Sequence, residues 1–258
     1  MPSIQENRAK WNQYDWPQGG EEWSSPWGGS HQVWGSILFP RIGRFLPSQS
    51  ILEIAPGFGR WTRYLHQSAD SYVGVDVATT AVEACQKNFP NLPFHLNDGK
   101  SLPMVRDRSI SFCFSYDSLV HADSDTMRAY AGELNRVLTD TGMAFLHHSN
   151  LGSYEKALQT KKTIGKFVPS WKARKFLKLI PETGWRDPHM TADLMRGYCD
   201  SQKLSCRQEL ITWLDSDDIM TDCFTLISRA PMTYKRQENR NFSKAAVQMA
   251  LCSELYRP

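Results

Sequence analysis

Glu53, Gly57 and Gly59 lie close together in the stretch EIAPGFG, residues 53–59. Glycines at a chain turn let backbone N–H groups approach a ligand that a Cβ would hold off. Further along come Asp76, Asp98-Gly99 and Asp117, then His121 and the pair His147-His148. A carboxylate such as Asp76 can accept hydrogen bonds from both hydroxyls of a ribose. A histidine can take a proton near neutral pH, because its reference pKa lies there. The set suits a nucleoside-like ligand seated on a glycine turn, with a proton acceptor nearby. Two glycines alone would fit an ordinary strand–helix turn, and a single histidine is more often structural. The weight rests on the group.

The surrounding sequence supplies elements to position these residues. The apolar run 51–55 reads as a buried strand that breaks at 56–59, and helical spacing starts at Trp61, Tyr64 and Leu65. A second strand spans 72–77 (YVGVDV), with Asp76 seventeen residues beyond Gly59, where folds of this kind bring an acid to a ribose. Residues 80–83 read as a capping box, opening a helix with Val82, Cys85 and Phe89 on one face. Strands follow at 94–96, 109–116 and 143–148, with an amphipathic helix over 123–138. Alternating βα units predict a doubly wound sheet, whose ligands bind beyond the carboxyl ends of its strands. Asp76, Asp98, Asp117 and His147-His148 fall at those ends. Neighbouring strand residues face opposite ways, so only one of His147 and His148 is expected in a pocket, with His148 favoured as nearer the strand end.

Composition bounds the class. The 258 residues are 41% hydrophobic with a net charge of +3, enough for a core and too little charge to argue for nucleic acid. No run of eighteen apolar residues occurs and the first ten residues carry no apolar signal core, so the expectation is a cytoplasmic protein without a membrane span. Six cysteines without a C-x-x-C pair read as buried thiols. Residues 1–47 hold five of the nine tryptophans, at 11, 16, 23, 27 and 34. This segment is expected to pack on the main domain, as a structural flap or as a cap that lays Trp27-Gly28-Gly29 across the pocket mouth; 36–46 reads as a helix. Residues 151–190 carry Lys156, Lys161, Lys162, Lys166, Lys172, Arg174, Lys175 and Lys178. They read as a solvated face or a lid over an acceptor. Strands at 204–214 and 220–229, parted by residues 215–218, close a domain spanning 48–230. A polar tail, 231–258, carries a helix at 247–255.

The pattern E-x-A-x-G-x-G from Glu53 to Gly59 resembles motif I of the class I S-adenosylmethionine (SAM) methyltransferases. Ala55 stands where that family usually has glycine. A dinucleotide fingerprint would instead need glycine at Thr62. The resemblance covers residues 51–150. It implies an α/β, Rossmann-like fold with a mostly parallel seven-stranded sheet and an antiparallel C-terminal strand. It also implies SAM as cofactor, held by Glu53, Ala55, Gly57, Gly59, Asp76, Asp98 and Gly99, with Asp98 on the adenine amino group and Trp27 over the site. Y-D-S-L-V-H (116–121) and F-L-H-H-S-N-L-G (145–152) look like an O-methyltransferase group of sugar and polysaccharide biosynthesis, including enzymes that methylate mannose units of mycobacterial polysaccharides. The acceptor would then be a sugar, small molecule or oligosaccharide hydroxyl. His148 would be the base, with His147, His121 and Asp117 assisting. Mg²⁺ and a homodimer stay open. An N-methyltransferase of an amino sugar or small amine, or a SAM-binding module without catalysis, are the alternatives.

Overall fold

In the computed structural model, residues 3–168, 170, 184–212, 219–242 and 244 are described. The central strand β1 (Ser48–Ile54) buries its last four residues, Ile51, Leu52, Glu53 and Ile54, because layers cover both faces of the sheet. It pairs in parallel with β2 (Ala69–Asp76) on one side and β4 (Ile110–Ser115) on the other. β3 (Phe94–Leu96) extends the sheet beyond β2, and β5 (Leu138–Ser149) extends it beyond β4, all in parallel. β7 (Asp222–Ser228) then runs antiparallel between β5 and β6 (Ser205–Ile211). The order is β3-β2-β1-β4-β5-β7-β6, with one more strand, β8 (Lys235–Asn239), beyond β6.

Seven strands are expected and eight are found among the described residues. The eighth, β8 (Lys235–Asn239), pairs in parallel with β6 at the sheet edge. Its residues KRQEN carry no apolar alternation, so nothing in the pattern marks a strand. Backbone pairing and polar contacts hold it instead, such as Asn239 Nδ2 donating to Glu209 Oε1 at 2.9 Å. The sheet therefore runs on into the tail segment.

Among the described residues the helices include α1 (Ile4–Gln13), α2 (Thr62–Leu65), α3 (Thr79–Asn88), α4 (Ser124–Val137), α5 (Glu155–Lys166) and α6 (Ala192–Ser201). Met127, Tyr130, Ala131 and Leu134 of α4 pack with Met195 and Cys199 of α6 on one sheet face. Phe112, Phe114, Phe145 and Phe224 meet Ile37, Leu38 and Ile42 on the other. The latter come from short helical turns that begin at Ser30, six residues earlier than expected, and include a π turn, Trp34–Leu38, ahead of Pro40. Proline lacks the N–H that an unbroken α-helix would use there.

The capping box expected at 80–83 does not form. α3 starts at Thr79, and its cap Ala78 offers no side-chain acceptor. Asn12 Oδ1 at the end of α1 takes the Thr80 N–H instead, at 3.2 Å. Cys85, Cys113, Cys199, Cys206 and Cys223 are buried thiols without disulfides. Among the described residues no helix is long and apolar enough to cross a membrane. The turn at 215–218, the tail helix at 247–255, Cys252 and the basic residues Lys172, Arg174, Lys175 and Lys178 lie outside the described residues.

Candidate active site

Beyond the carboxyl ends of β1, β2 and β4 opens a cavity of about 1000 Å³, its mouth included. Its floor begins at the β1 turn. Ala55 has φ +58°, Gly57 φ +58° and Gly59 φ +82°, so three residues in five occupy the left-handed region that glycine favours. That explains the family preference for glycine at the position of Ala55. A Cβ on Gly57 would stand 3.1 Å from the Trp16 ring, and one on Gly59 would strike the Phe89 ring. Gly57 thus borders the cavity, while Gly59 is required by packing behind the loop and does not line it.

Asp76 lies at the end of β2 and lines the cavity. Its Oδ2 accepts from the Gly57 N–H at 3.1 Å and its Oδ1 from the Ala78 N–H at 2.9 Å. One carboxylate therefore ties the glycine loop to the start of α3. Burial raises its pKa to about 6.

Glu53 does not reach the cavity. It is buried beneath the loop and accepts from Thr62 Oγ1 at 2.7 Å and Tyr72 Oη at 2.5 Å. Burial raises its pKa to about 7. Its work is to fasten α2 and β2 to β1. Asp98 is exposed, and its carboxylate is taken by the N–H groups of Lys100 and Ser101 in a tight turn. Gly99 and Asn97 line the cavity in its place. Asn97 Nδ2 donates to Tyr130 Oη and the Ser101 carbonyl, which fixes the amide orientation. Its buried Oδ1 has no partner among the described residues.

The cap does cover the cavity, but Trp27 is not among the lining residues; it packs against the helical layer on one sheet face. Trp11, Trp16 and Trp23 form the roof. Trp16 stacks on Phe58 with centroids 4.4 Å apart, and Trp11 meets Trp23 edge-on at 5.7 Å. α1 is strapped across the strand ends. Arg8 donates to the carbonyls of Val77 and Asn97 at 3.1 Å each, and Asn7 Nδ2 donates to the His121 carbonyl at 2.9 Å.

The three histidines separate cleanly. His148 is buried between the Ser149 carbonyl at 2.9 Å and Thr225 Oγ1 at 2.8 Å, away from the cavity. Burial lowers its pKa to about 4. His147 faces the other way, as alternation requires, yet lies under the floor. The Asp117 N–H donates to its Nδ1 at 3.1 Å, so Nε2 carries the proton and points at Asp222 Oδ2, 3.1 Å away. Arg186 binds that same carboxylate through two donors, at 2.6 and 2.8 Å. Burial alone would raise the Asp222 carboxyl; Arg186, then His147, hold it well below the usual carboxylate range. This buried chain seats the Asp117 backbone, which has φ +64°.

His121 is the histidine that lines the cavity. It sits on the 3₁₀ turn Leu119–His121 after β4, not on a strand. Its Nδ1 lies 3.0 Å from the Trp185 carbonyl, an acceptor, so Nδ1 holds the proton and Nε2 keeps the lone pair. Burial lowers its pKa to about 4. Beside it Arg60 donates to Asp117 Oδ2 at 3.0 Å and to Ser24 Oγ at 2.9 Å. Sequence reasoning missed Arg60, Asn97 and Trp185; nothing in their local pattern separates them from ordinary polar or aromatic residues.

These residues fit a nucleoside cofactor. An ionised Asp76 would have lone pairs left for ribose hydroxyls, and the orphan Oδ1 of Asn97 would suit an adenine amino group. Among the described residues no group of three or more His, Cys, Asp or Glu could hold a metal ion, so no donor set for Mg²⁺ is at hand there. A pH dependence follows from Asp76. Its folded pKa lies above the unfolded value, so the ligand-free fold binds this proton more tightly. This group's contribution to stability therefore falls as pH rises from about 4 to about 6. Ribose hydroxyls need the carboxylate form, so cofactor affinity should rise through pH 6 and drop about tenfold per unit on the acid side. Calorimetric titration of wild type and Asp76→Asn would check this. The variant should bind more weakly and lose the slope.

Comparisons with known proteins agree with this geometry. Residues 51–142 match the family described as "Methyltransferase domain". The PH0226 protein of Pyrococcus horikoshii OT3 superposes with a TM-score of 0.58 at 14% identity, over 85% of this chain and 98% of that one. A SAM-dependent methyltransferase from Mesorhizobium loti gives 0.54 at 14%, over 76% and 97%. The DhpI–SAH complex gives 0.54 at 14%, over 89% and 96%. At these identities the likeness speaks for the fold. No curated protein matches the sequence. The matched domain, the sheet order and an acid at the end of β2 holding the glycine loop agree with one another, and residues 51–142 of this chain are those of a methyltransferase domain.

Proposed function

We propose that the protein methylates a hydroxyl group of a sugar or glycan, with His121 as general base. The observation that carries this reading is the state of His121: it lines the cavity, is neutral at physiological pH, and has Nδ1 committed to the Trp185 carbonyl. SAM supplies a methyl group already activated by its sulfonium. The chain's task is to align an acceptor and remove its proton. Asp76 and Asn97 would hold the nucleoside, leaving Arg60, Asp117 and His121 for the acceptor. The hydroxyl proton passes to His121 Nε2, and the Trp185 carbonyl and the nearby Asp117 charge stabilise the imidazolium. Trp11 and Trp23 offer flat apolar faces suited to the C–H faces of a sugar ring. In this reading the described residues before 48 cover the site, and the catalytic unit begins at residue 48 and, with β8, runs past residue 230.

An amine acceptor is disfavoured by the Arg60–Asp117 pair. The guanidinium at 3.0 Å balances the carboxylate that an ammonium group would need. Radiolabelled methyl transfer to a panel of neutral glycans, acidic glycans, amino sugars and small amines tests the reading. Label should enter hydroxyl acceptors. Label confined to amines would overturn it in favour of N-methylation, and no turnover on any acceptor would favour a cofactor-binding module.

A further inference from the structure

α5 leaves the carboxyl end of β5 through the turn Leu151–Tyr154, so it rises from the same sheet edge as the cavity. Of its residues only Gly165 is buried. Ile164 is 49% exposed, and Phe167, at its C-terminal cap, is 81% exposed. Lys156, Lys162 and Lys166 are exposed and Lys161 half-buried, against one acid on the helix, Glu155. At 3.6 residues per turn, Ile164 and Phe167 fall about 60° apart, with Lys156 and Lys161 on either side of them. The sequence continues with Lys172, Arg174, Lys175 and Lys178 and no acid before Glu182. A second amphipathic pair joins α1 to Trp185, whose carbonyl meets His121. Trp185 is 45% exposed, with Lys10 Nζ 3.4 Å from its ring centroid.

We propose that α5 is a docking surface for an anionic lipid bilayer, holding the open edge of the sheet against the membrane. Lysines flanking exposed aromatic and aliphatic side chains suit an interface where acyl chains bury the apolar groups and headgroups meet the ammonium groups. A nucleic acid would satisfy the lysines and leave Phe167 and Ile164 in water. The chain's small net charge shows that the basic character is local to this segment, not general. The proposal goes beyond methyl transfer and stands without it.

The test is co-sedimentation of the full chain with phosphatidylcholine vesicles and with vesicles about one-third phosphatidylglycerol. Partitioning should be at least about tenfold stronger on the anionic vesicles and weaken as salt is added. Phe167→Ser with Ile164→Ser should lower it severalfold, as should Lys156 and Lys161 changed together to Gln. S-adenosylhomocysteine affinity should stay unchanged in both variants, showing that the fold is intact. Equal binding to both vesicle types would overturn the proposal. So would wild-type vesicle binding by the Phe167/Ile164 variant, the mark of a general polyanion surface. Loss of a dimer in that variant by light scattering, with vesicle binding unchanged, would assign the patch to self-association instead.

Discussion

His121→Ala should lower kcat by about 10²–10³-fold while leaving SAM affinity within about twofold. The low pKa of His121 makes it a modest base, which sets the effect toward the lower part of the range for general-base catalysis. Its proton leaves at about pH 4. The rate of wild type should therefore climb through that region and stay flat across neutral pH, and the variant should lose the climb. His148→Ala provides the contrast. It removes a buried ring bridging the Ser149 carbonyl and Thr225 Oγ1, so it should lower the melting temperature and leave turnover per folded molecule nearly intact. Loss of turnover in His148→Ala with His121→Ala fully active would reverse the assignment.

Asp222→Ala should destabilise the protein by about 3–5 kcal/mol, because it removes the carboxylate that takes two hydrogen bonds from the Arg186 guanidinium in a largely buried place. Asp222 itself is fully buried, and Arg186 keeps 17% of its side chain exposed. His147 Nε2 would lose the carboxylate 3.1 Å away as well. Urea unfolding measures the loss, and a change below about 1 kcal/mol would mean that solvent already screens the pair. The pH dependence gives a second reading. The folded pKa of Asp222 lies below its unfolded value, so its contribution is fully present above about pH 4 and is lost as pH falls further. The variant should accordingly lose less stability than wild type between pH 5 and pH 3. Through the Asp117 N–H the same substitution should also raise KM for the acceptor more than it lowers kcat.

The parallel core of the fold was legible because buried strands and glycine turns leave strong local patterns. Residues 51–59 and Asp76 announce themselves in that way. The site was harder to read wherever two local roles compete for one residue. Asp98-Gly99 reads as a ligand position and as a turn; the turn takes its carboxylate, and the unremarkable Asn97 is left with the orphan acceptor. Glu53 carries the motif but sits one layer too deep, fastening Thr62 and Tyr72. The alternation rule correctly set His147 and His148 on opposite faces. It could not reveal that β5 is central, with β7 pairing along it, so that both rings are buried. His121, though a candidate from the motif at 116–121, lies in a turn without periodicity that gives no reason to rank it above His148, and β8, on an edge without apolar residues, leaves no pattern to find. The cap tryptophans were legible as packed aromatics, but which of them roof the cavity depends on the path of α1.

That path separates two problems that most binding sites must solve together. The roof over the acceptor end is one contiguous piece of chain, whereas the nucleoside end is built from strand termini far away in sequence. If the proposed acceptor end is right, substitutions at Trp11 and Trp23 should change acceptor choice while Asp76 keeps its hydrogen bonds to the Gly57 and Ala78 N–H groups. On the proposed reading, the shape offered to an acceptor is written in one contiguous stretch, residues 11–23, laid over a floor that distant strand ends assemble.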